Sequence, residues 1–191
     1  MITLDNIKSN WSTYSGLCSR LEDECINNMI EKLDNRLVTC PASNVSSSYG
    51  AYEGGLVEHA LSVAMAMKTI NKTMEMEVEM SSILKVALFH EIGKVGDIES
   101  PLFVEQDSDW HREKLGQMYK YNEKIQKSSV SHRSLYLLQH FGVTLTQDEW
   151  IAIQLSQGSH FEENRFYVGS EPSLALLLQN AKSIVIHRSR R

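Results

Sequence analysis

The chain has 191 residues, the length of one domain, and a domain of this size buries about 70% of its unfolded surface without needing disulfides. Its content of 42% hydrophobic, 23% charged and 8% aromatic residues excludes collagen-like, disordered and low-complexity proteins. Nineteen basic against 24 acidic residues give a net charge of -5, so no overall basic field attracts nucleic acid or an anionic membrane.

Cysteine usage and the first residues predict a soluble cytoplasmic protein. Three cysteines without a CxxC pair favour reduced thiols over a disulfide framework. The opening stretch, MITLDNIKSN, lacks the charged and apolar regions of a signal peptide. No uncharged apolar run approaches the roughly 18 residues of a membrane span. We therefore expect one domain over residues 1–191 and no membrane partner.

The N-terminal segment, residues 1–36, is predicted to be helical and to end near Asp34 and Asn35. Its apolar residues recur at steps of three and four and form one stripe, namely Leu17, Leu21, Cys25, Met29, Ile30 and Leu33. The next stretch, TCPASNVSSSYGAYEGG, is a loop, because Pro41 prevents a regular helix at its start. A loop of this length inside a compact domain is usually functional or mobile.

The remaining chain is predicted to be a mostly α bundle with one small β-hairpin. A helix runs from Leu56 to Ile70, and the run ILKVALFHEIG is apolar nearly all round, as expected of a helix at the centre of a bundle. The segments FVEQ and MYKYN alternate and predict the hairpin. Three further helices are predicted at 131–141, 147–156 and 173–187. Residues 186–191 form a short basic tail, expected to be solvated.

One histidine and one acid stand next to each other in the most apolar helix. A buried Glu91 beside His90 requires either a metal ion bound by both or a cationic partner, because an unpaired buried carboxylate is costly. His59 lies on the preceding helix, also among apolar residues. Two antiparallel helices would bring His59 and His90 together, which is how helical bundles build metal sites. Composition and periodicity leave both alternatives open.

The motifs GGLVEHA and ALFHEIGKVGD resemble the HD-domain superfamily. Further segments are similar to a group of HD-domain proteins of tailed bacteriophages, and the likeness covers residues 40–185: WHREKLGQMYKYN, RSLYLLQHFGV, DEWIAIQL and EEN. Members of the superfamily are metal-dependent phosphohydrolases that act mainly on nucleotides. The resemblance implies an HD-like bundle in which His59, His90 and Glu91 bind a divalent ion (Mn, Zn, Co or Mg). Such an ion would activate a water for attack on phosphorus.

The chain departs from the family pattern at four positions. Glu91 replaces the family aspartate and carries one more methylene. Lys182 occupies the place of the last aspartate ligand, Gln157 that of an acid, and Tyr49 that of a loop histidine. An ammonium group repels a cation, so Lys182 is a possible replacement for the metal, neutralising Glu91 with no cofactor. His160 or Glu163 is the alternative source of a missing ligand.

Two functions from different classes remain open. In the first, the protein is a nucleotide phosphohydrolase in which Glu91 and Lys94 are catalytic, and Lys94, Arg112 and Ser43 contact the substrate phosphates or base. In the second, it is a catalytically inactive HD-fold protein that binds a nucleotide or a host protein during infection. Nucleotide is the expected ligand, and nucleic acid is not an expected partner.

Overall fold

The computed structural model describes residues 3–158 and 161–189, and it confirms a mostly α fold with a small β-sheet. In chain order its elements are α1 (Leu4–Ser19), α2 (Glu24–Thr39), α3 (Gly55–Thr73), α4 (Met80–Phe89), a first 3-10 turn (Ile92–Val95), β1 (Phe103–Glu105), α5 (Asp109–Leu115), β2 (Tyr119–Tyr121), α6 (Val130–His140), α7 (Gln147–Leu155), a second 3-10 turn (Glu162–Tyr167) and α8 (Ser173–Ser189).

The N-terminal segment forms two helices where the apolar stripe predicts one. The Asp23 carboxylate accepts hydrogen bonds from the backbone N–H groups of Cys25 and Ile26, so α2 starts anew after it. The stripe hides this break because both helices turn their apolar residues towards the same core. Asp34 does not end α2 either: it has a φ of 35° and kinks the helix, which continues to Thr39.

The central helix is shorter than its apolar run predicts. Helix α4 ends at Phe89, His90 is its C-cap, and Glu91 precedes the first 3-10 turn with a φ of -116°. Glu91 is therefore buried at a helix end and not within a helix. The side chains of α4 lie in one core with those of α1, α2, α3, α6, α7 and α8. The hydroxyl groups of Ser129 and Thr146 cap the N-termini of α6 and α7 by accepting from the backbone N–H groups of His132 and Glu149.

The predicted hairpin is present, with a helix inside its connection. Strands β1 and β2 pair antiparallel with Val104 opposite Lys120, and α5 lies between them in the chain. The pair is attached to the loop that precedes α3, because the backbone N–H of Ser46 donates to the Gly116 carbonyl and that of Met118 to the Asn44 carbonyl. Loop and hairpin thus form one unit beside α3.

None of the helices that the structure describes combines the length and apolar character needed to cross a membrane. Cys18 and Cys40 are buried, Cys25 is half-buried, and all three are free thiols. Burial raises the pKa of Cys18 and of Cys40 to about 12, so both stay protonated and serve as small apolar core residues.

Gly93 fixes the distance between the first 3-10 turn and α6, and we expect Gly93→Ala to destabilise the protein. A Cβ there would lie 2.5 Å from the Val130 carbonyl oxygen and 2.7 Å from the Ser134 nitrogen. Relieving that overlap should cost about 1–3 kcal/mol of unfolding free energy, measured by urea denaturation. Gly16→Ala is the control, because its Cβ meets nothing within 4 Å in α1 and should stabilise by about 0.5–1 kcal/mol. Equal denaturation midpoints for the two variants would contradict this role.

Candidate functional site: a buried ion cluster beside an open cleft

Five parts of the fold bring six polar side chains together, with Glu91 at their centre. They come from the loop before α3, from α3, from the end of α4, from the first 3-10 turn and from α8. We call this group the ion cluster, and it consists of Tyr49, His59, His90, Glu91, Lys94 and Lys182. The sequence identifies every one of these positions, but it does not predict how they pair.

Both carboxylate oxygens of Glu91 are paired with lysines. Oε1 forms an ion pair with Lys182 Nζ at 2.7 Å and accepts a hydrogen bond from the Tyr49 hydroxyl at 2.9 Å. Oε2 accepts from Lys94 Nζ at 2.6 Å. The cationic partner predicted for Glu91 is therefore present at Lys182, and a second one, which sequence reasoning missed, is present at Lys94.

The two lysines are held in place by carbonyl groups. Lys94 Nζ also donates to the Ala42 carbonyl at 2.5 Å and to the Tyr49 hydroxyl at 2.9 Å, and only 7% of its surface is exposed. Lys182 Nζ donates to the Ser156 carbonyl at 2.8 Å and is 9% exposed. Lys94 is therefore buried and points at Glu91. It does not point to solvent, as contact with a substrate phosphate would require.

Tyr49 joins the two halves of the cluster. Its hydroxyl accepts from Lys94 and donates to Glu91. The loop that carries it packs directly against the start of α3. The approach is so close that a Cβ on Gly55 would lie 2.1 Å from the Gly50 carbonyl oxygen. The close approach of these two glycines fixes the position of the neighbouring Tyr49 in the cluster.

Burial and charge act in opposite directions on the Glu91 carboxyl. Burial alone would raise the pKa of Glu91, but the ammonium groups of Lys182 and Lys94 hold it well below its ordinary value. Burial lowers the pKa of Lys94, and the Glu91 carboxylate works against that shift. Glu91 is therefore ionised at neutral pH.

The two histidines are neutral, and each turns a ring nitrogen into the cluster. Burial lowers the pKa of His59 to about 3 and that of His90 to about 4. His90 Nδ1 lies 3.0 Å from the Ala87 carbonyl oxygen, to which it donates, so its Nε2 carries a lone pair. Within the described residues, neither His59 Nε2 nor His90 Nε2 has a hydrogen-bond partner.

His59, His90 and Glu91 lie close enough to hold a metal ion, since one ligand atom of each falls within 4.8 Å of the others. The two imidazole nitrogens fit such an ion. The carboxylate does not, because Lys94 and Lys182 already occupy its oxygens and would repel a divalent cation. As arranged, the cluster does not fit the metal that the family pattern implies unless Lys182 is displaced.

An open cleft of about 420 Å³ adjoins the cluster at Tyr49 and Lys182. Its wall includes Ser156, which is 4% exposed, and Gln157. Ser156 Oγ and Gln157 Nε2 are both buried without a hydrogen-bond partner among the described residues. Buried polar atoms are normally satisfied, so two unsatisfied ones at the edge of a cleft indicate that a ligand or water completes them.

Asn164, which sequence reasoning missed, supports the turn that carries these two residues. Its amide donates to the Gly158 carbonyl at 2.7 Å and accepts from Gln154 Nε2 at 3.2 Å. The sequence offers the neighbouring Glu163, or His160, as a metal ligand and gives Asn164 no role. Glu163 is exposed, and His160 lies outside the described residues.

The other predicted substrate contacts have partners of their own in the loop and the hairpin. Ser43 Oγ accepts from the backbone N–H of Val45 at 3.3 Å. The Arg112 guanidinium binds the Gln106 carbonyl and the Asp109 carboxylate, both within its own segment. The structure thus brings His59, His90, Glu91, Lys94 and Lys182 together and does not place Ser43 or Arg112 among them.

The two buried histidines should make the protein lose stability in weak acid. Their folded pKa values lie below the ordinary 6.5, so the unfolded chain binds more protons as pH falls from about 6.5 towards 4. Unfolding free energy should fall by up to about 1.4 kcal/mol per pH unit for each histidine, measured by urea denaturation. Glu91 adds to the loss only below its ordinary pKa of 4.5. His90→Gln should flatten the slope, and His132→Gln, at an exposed site, should not. Parallel pH profiles for the two variants would contradict the assignment.

Comparison of the chain with protein-family models, with curated proteins and with solved structures gives no match. The likeness to the HD-domain superfamily therefore rests on the motifs themselves.

Proposed function

We propose that the protein binds the phosphate groups of a nucleotide in the cleft beside Lys182 and does not hydrolyse them. The observation that carries this proposal is the pairing of one carboxylate, Glu91, with two lysines, Lys94 and Lys182. In this proposal the lysine at position 182 has replaced the metal of an HD-like site, and a catalytic centre has become an anion-binding one.

Charge in the cluster supports an anionic ligand. Counted by formal charge, with one carboxylate, two ammonium groups and two neutral imidazoles, the cluster carries one net positive charge. Glu91 is the only carboxylate that the described part of the chain places within ion-pair distance of either lysine. A buried charge without a counterion is costly, and a phosphate group bound next to Lys182 would lower that cost.

The donors at the cleft support phosphate in particular. Lys182 reaches the cleft with its side chain 11% exposed. Ser156 Oγ and Gln157 Nε2 offer two more donors whose hydrogen bonds are unmade among the described residues. Charge-assisted hydrogen bonds to phosphate oxygens are about twice as strong as neutral ones. A volume of about 420 Å³ lies within the range of small-molecule sites, which makes room for a base and sugar as well.

The sequence motifs support a nucleotide over other phosphate compounds. Members of the superfamily that the chain resembles act mainly on nucleotides, and the likeness spans residues 40–185. On the same resemblance we propose a cytoplasmic location, which is the host cytoplasm if a phage encodes the protein. Ligand identity, origin and location are parts of the proposal.

Calorimetric titration with nucleoside mono-, di- and triphosphates in the presence of a metal chelator tests the proposal. We expect heat of binding without metal, and a higher melting temperature in the presence of ligand. Ser156→Ala should weaken binding about tenfold while leaving the fold intact, because it removes a buried hydroxyl that no described residue satisfies. Ser62→Ala, on α3 outside the cleft, should bind like the unsubstituted protein. Binding that requires a metal, or that Ser156→Ala leaves unchanged, would overturn the proposal.

A metal-dependent phosphohydrolase is the second candidate, and the unpartnered Nε2 atoms of His59 and His90 favour it. Phosphate release from nucleoside triphosphates should be measured with Mn, Co, Zn and Mg. We expect no turnover. Turnover that His90→Ala abolishes would establish this second function in place of the first.

A further inference from the structure

Two apolar grooves flank the outer side of α3, away from the residues of the ion cluster and the cleft. The first, of about 590 Å³, has Leu17 of α1, Leu61 of α3 and Leu84 of α4 in its walls. The second, of about 660 Å³, lies between α3 and α8 and contains Ile70 and Ile184. We call the two together the α3 surface.

Met65 stands between the grooves and lines both of them. It is 73% exposed, although its long apolar side chain would be expected to seek burial. Methionine is unbranched and adapts to partners of different shape, which is why it is common at protein-binding surfaces. An exposed methionine between two apolar grooves indicates an interaction site.

Charge on the α3 surface opposes the charge of the whole chain. Its lining residues include four cations, Arg20, Lys68, Lys72 and Arg188, and no acid, whereas the chain has a net charge of -5. All four are exposed, and none forms an ion pair with any other residue that the structure describes. These cations surround an apolar surface and form no ion pairs among the described residues. Such a surface is complementary to a binding partner with an apolar centre and acidic flanks.

We propose that the α3 surface is a docking site for an acidic amphipathic helix of another protein. Grooves between helices accept a helix through apolar residues at steps of three and four, which here would enter on either side of Met65. Helix α3, with 19 residues, is about 28 Å long and offers room for roughly five turns of such a partner. Lys68 and Lys72, one turn apart on α3, face the acidic flank.

The same features argue against two other occupants. A second copy docked through the same surface would bring the four cations of each chain face to face. A flat bilayer does not reach the floors of grooves, where Leu17 and Leu61 lie. The proposal is independent of the function proposed for the cleft, since the lining residues of the two sites do not overlap.

Fluorescence anisotropy with labelled synthetic peptides of about 18 residues tests the proposal. One peptide places leucine at helical steps with glutamate on the flanks, a second replaces the glutamates by lysine, and a third scrambles the first. We expect the acidic amphipathic peptide to bind at least about tenfold more tightly than the other two, and to weaken as salt concentration rises.

Matched variants locate the binding. Lys68→Glu with Lys72→Glu should weaken binding about tenfold, and Met65→Glu should do the same, since all three positions are exposed and the fold should tolerate them. Lys124→Glu reverses an exposed charge elsewhere and should bind normally. Equal affinity for the acidic and basic peptides, no binding of the acidic peptide, or unchanged binding by Lys68→Glu with Lys72→Glu would overturn the proposal. So would binding of phosphatidylserine vesicles, or self-association on sedimentation, that Met65→Glu abolishes.

Discussion

Lys182→Asp is expected to convert the ion cluster into a metal centre that holds a stoichiometric divalent transition metal, which the unsubstituted protein does not. The change removes one ammonium from Glu91 and adds a carboxylate, so the net charge of the cluster goes from +1 to -1. His59 Nε2 and His90 Nε2 have no hydrogen-bond partner among the described residues and are available as ligands. Two imidazoles and two carboxylates form a donor set suited to Mn, Co or Zn.

Elemental analysis by mass spectrometry after dialysis measures this gain of metal directly. Lys182→Met separates its two causes, because it removes the ammonium without adding a ligand and should bind metal more weakly than Lys182→Asp. Lys182→Asp combined with His90→Ala should lose the metal again. Metal should also raise the melting temperature of Lys182→Asp and not of the unsubstituted protein. A stoichiometric metal in the unsubstituted protein would contradict the prediction, and with it the replacement of metal by lysine.

Whether Lys182→Asp then hydrolyses nucleotides is a separate question from whether it binds metal. Lys94 still pairs with Glu91 in that variant, and a glutamate carboxylate lies one methylene further from the backbone than an aspartate carboxylate. We therefore expect the variant to gain metal binding and its turnover to stay low. High turnover would mean that Lys182 alone prevents hydrolysis at this site.

The sequence predicts the members of the cluster better than their arrangement. Spacing within two apolar helices is enough to select His59 and His90, and the motif likeness selects Lys182. The sequence predicts that Lys94, three residues after Glu91, contacts a substrate phosphate as a point charge. Helix α4 ends at Phe89, and the 3-10 turn that follows directs Lys94 back onto Glu91. A change of helix type leaves no mark in apolar periodicity.

Breaks between helices and contacts within loops are hard to predict from the sequence for a similar reason. The break between α1 and α2 depends on the Asp23 cap, one short polar side chain in a stripe that runs through both helices. Tyr49 enters the cluster through a contact between Gly50 and Gly55, which only the folded loop creates. Apolar periodicity records neither a single capping side chain nor a contact made within a folded loop.

Glu91→Gln is expected to be the most destabilising substitution in the cluster. It leaves two buried ammonium groups, Lys94 and Lys182, without a carboxylate, and breaking a buried ion pair from one side costs about 3–5 kcal/mol. Lys182→Met should cost less, about 1–2 kcal/mol, because Glu91 keeps its pair with Lys94. Urea denaturation of both variants measures the difference.

Which of the two variants loses more unfolding free energy tests the net charge of the ion cluster, on which the proposed anion binding rests. If the cluster carries one excess positive charge, removing a lysine brings it to neutrality, whereas removing the acid leaves two like charges in the core. Inorganic phosphate should then stabilise Glu91→Gln more than it stabilises Lys182→Met. A larger loss of stability in Lys182→Met than in Glu91→Gln would show that the cluster depends on Lys182 for charge balance. In that case no excess positive charge would face the cleft, and a bound phosphate would have no opposite charge to pair with.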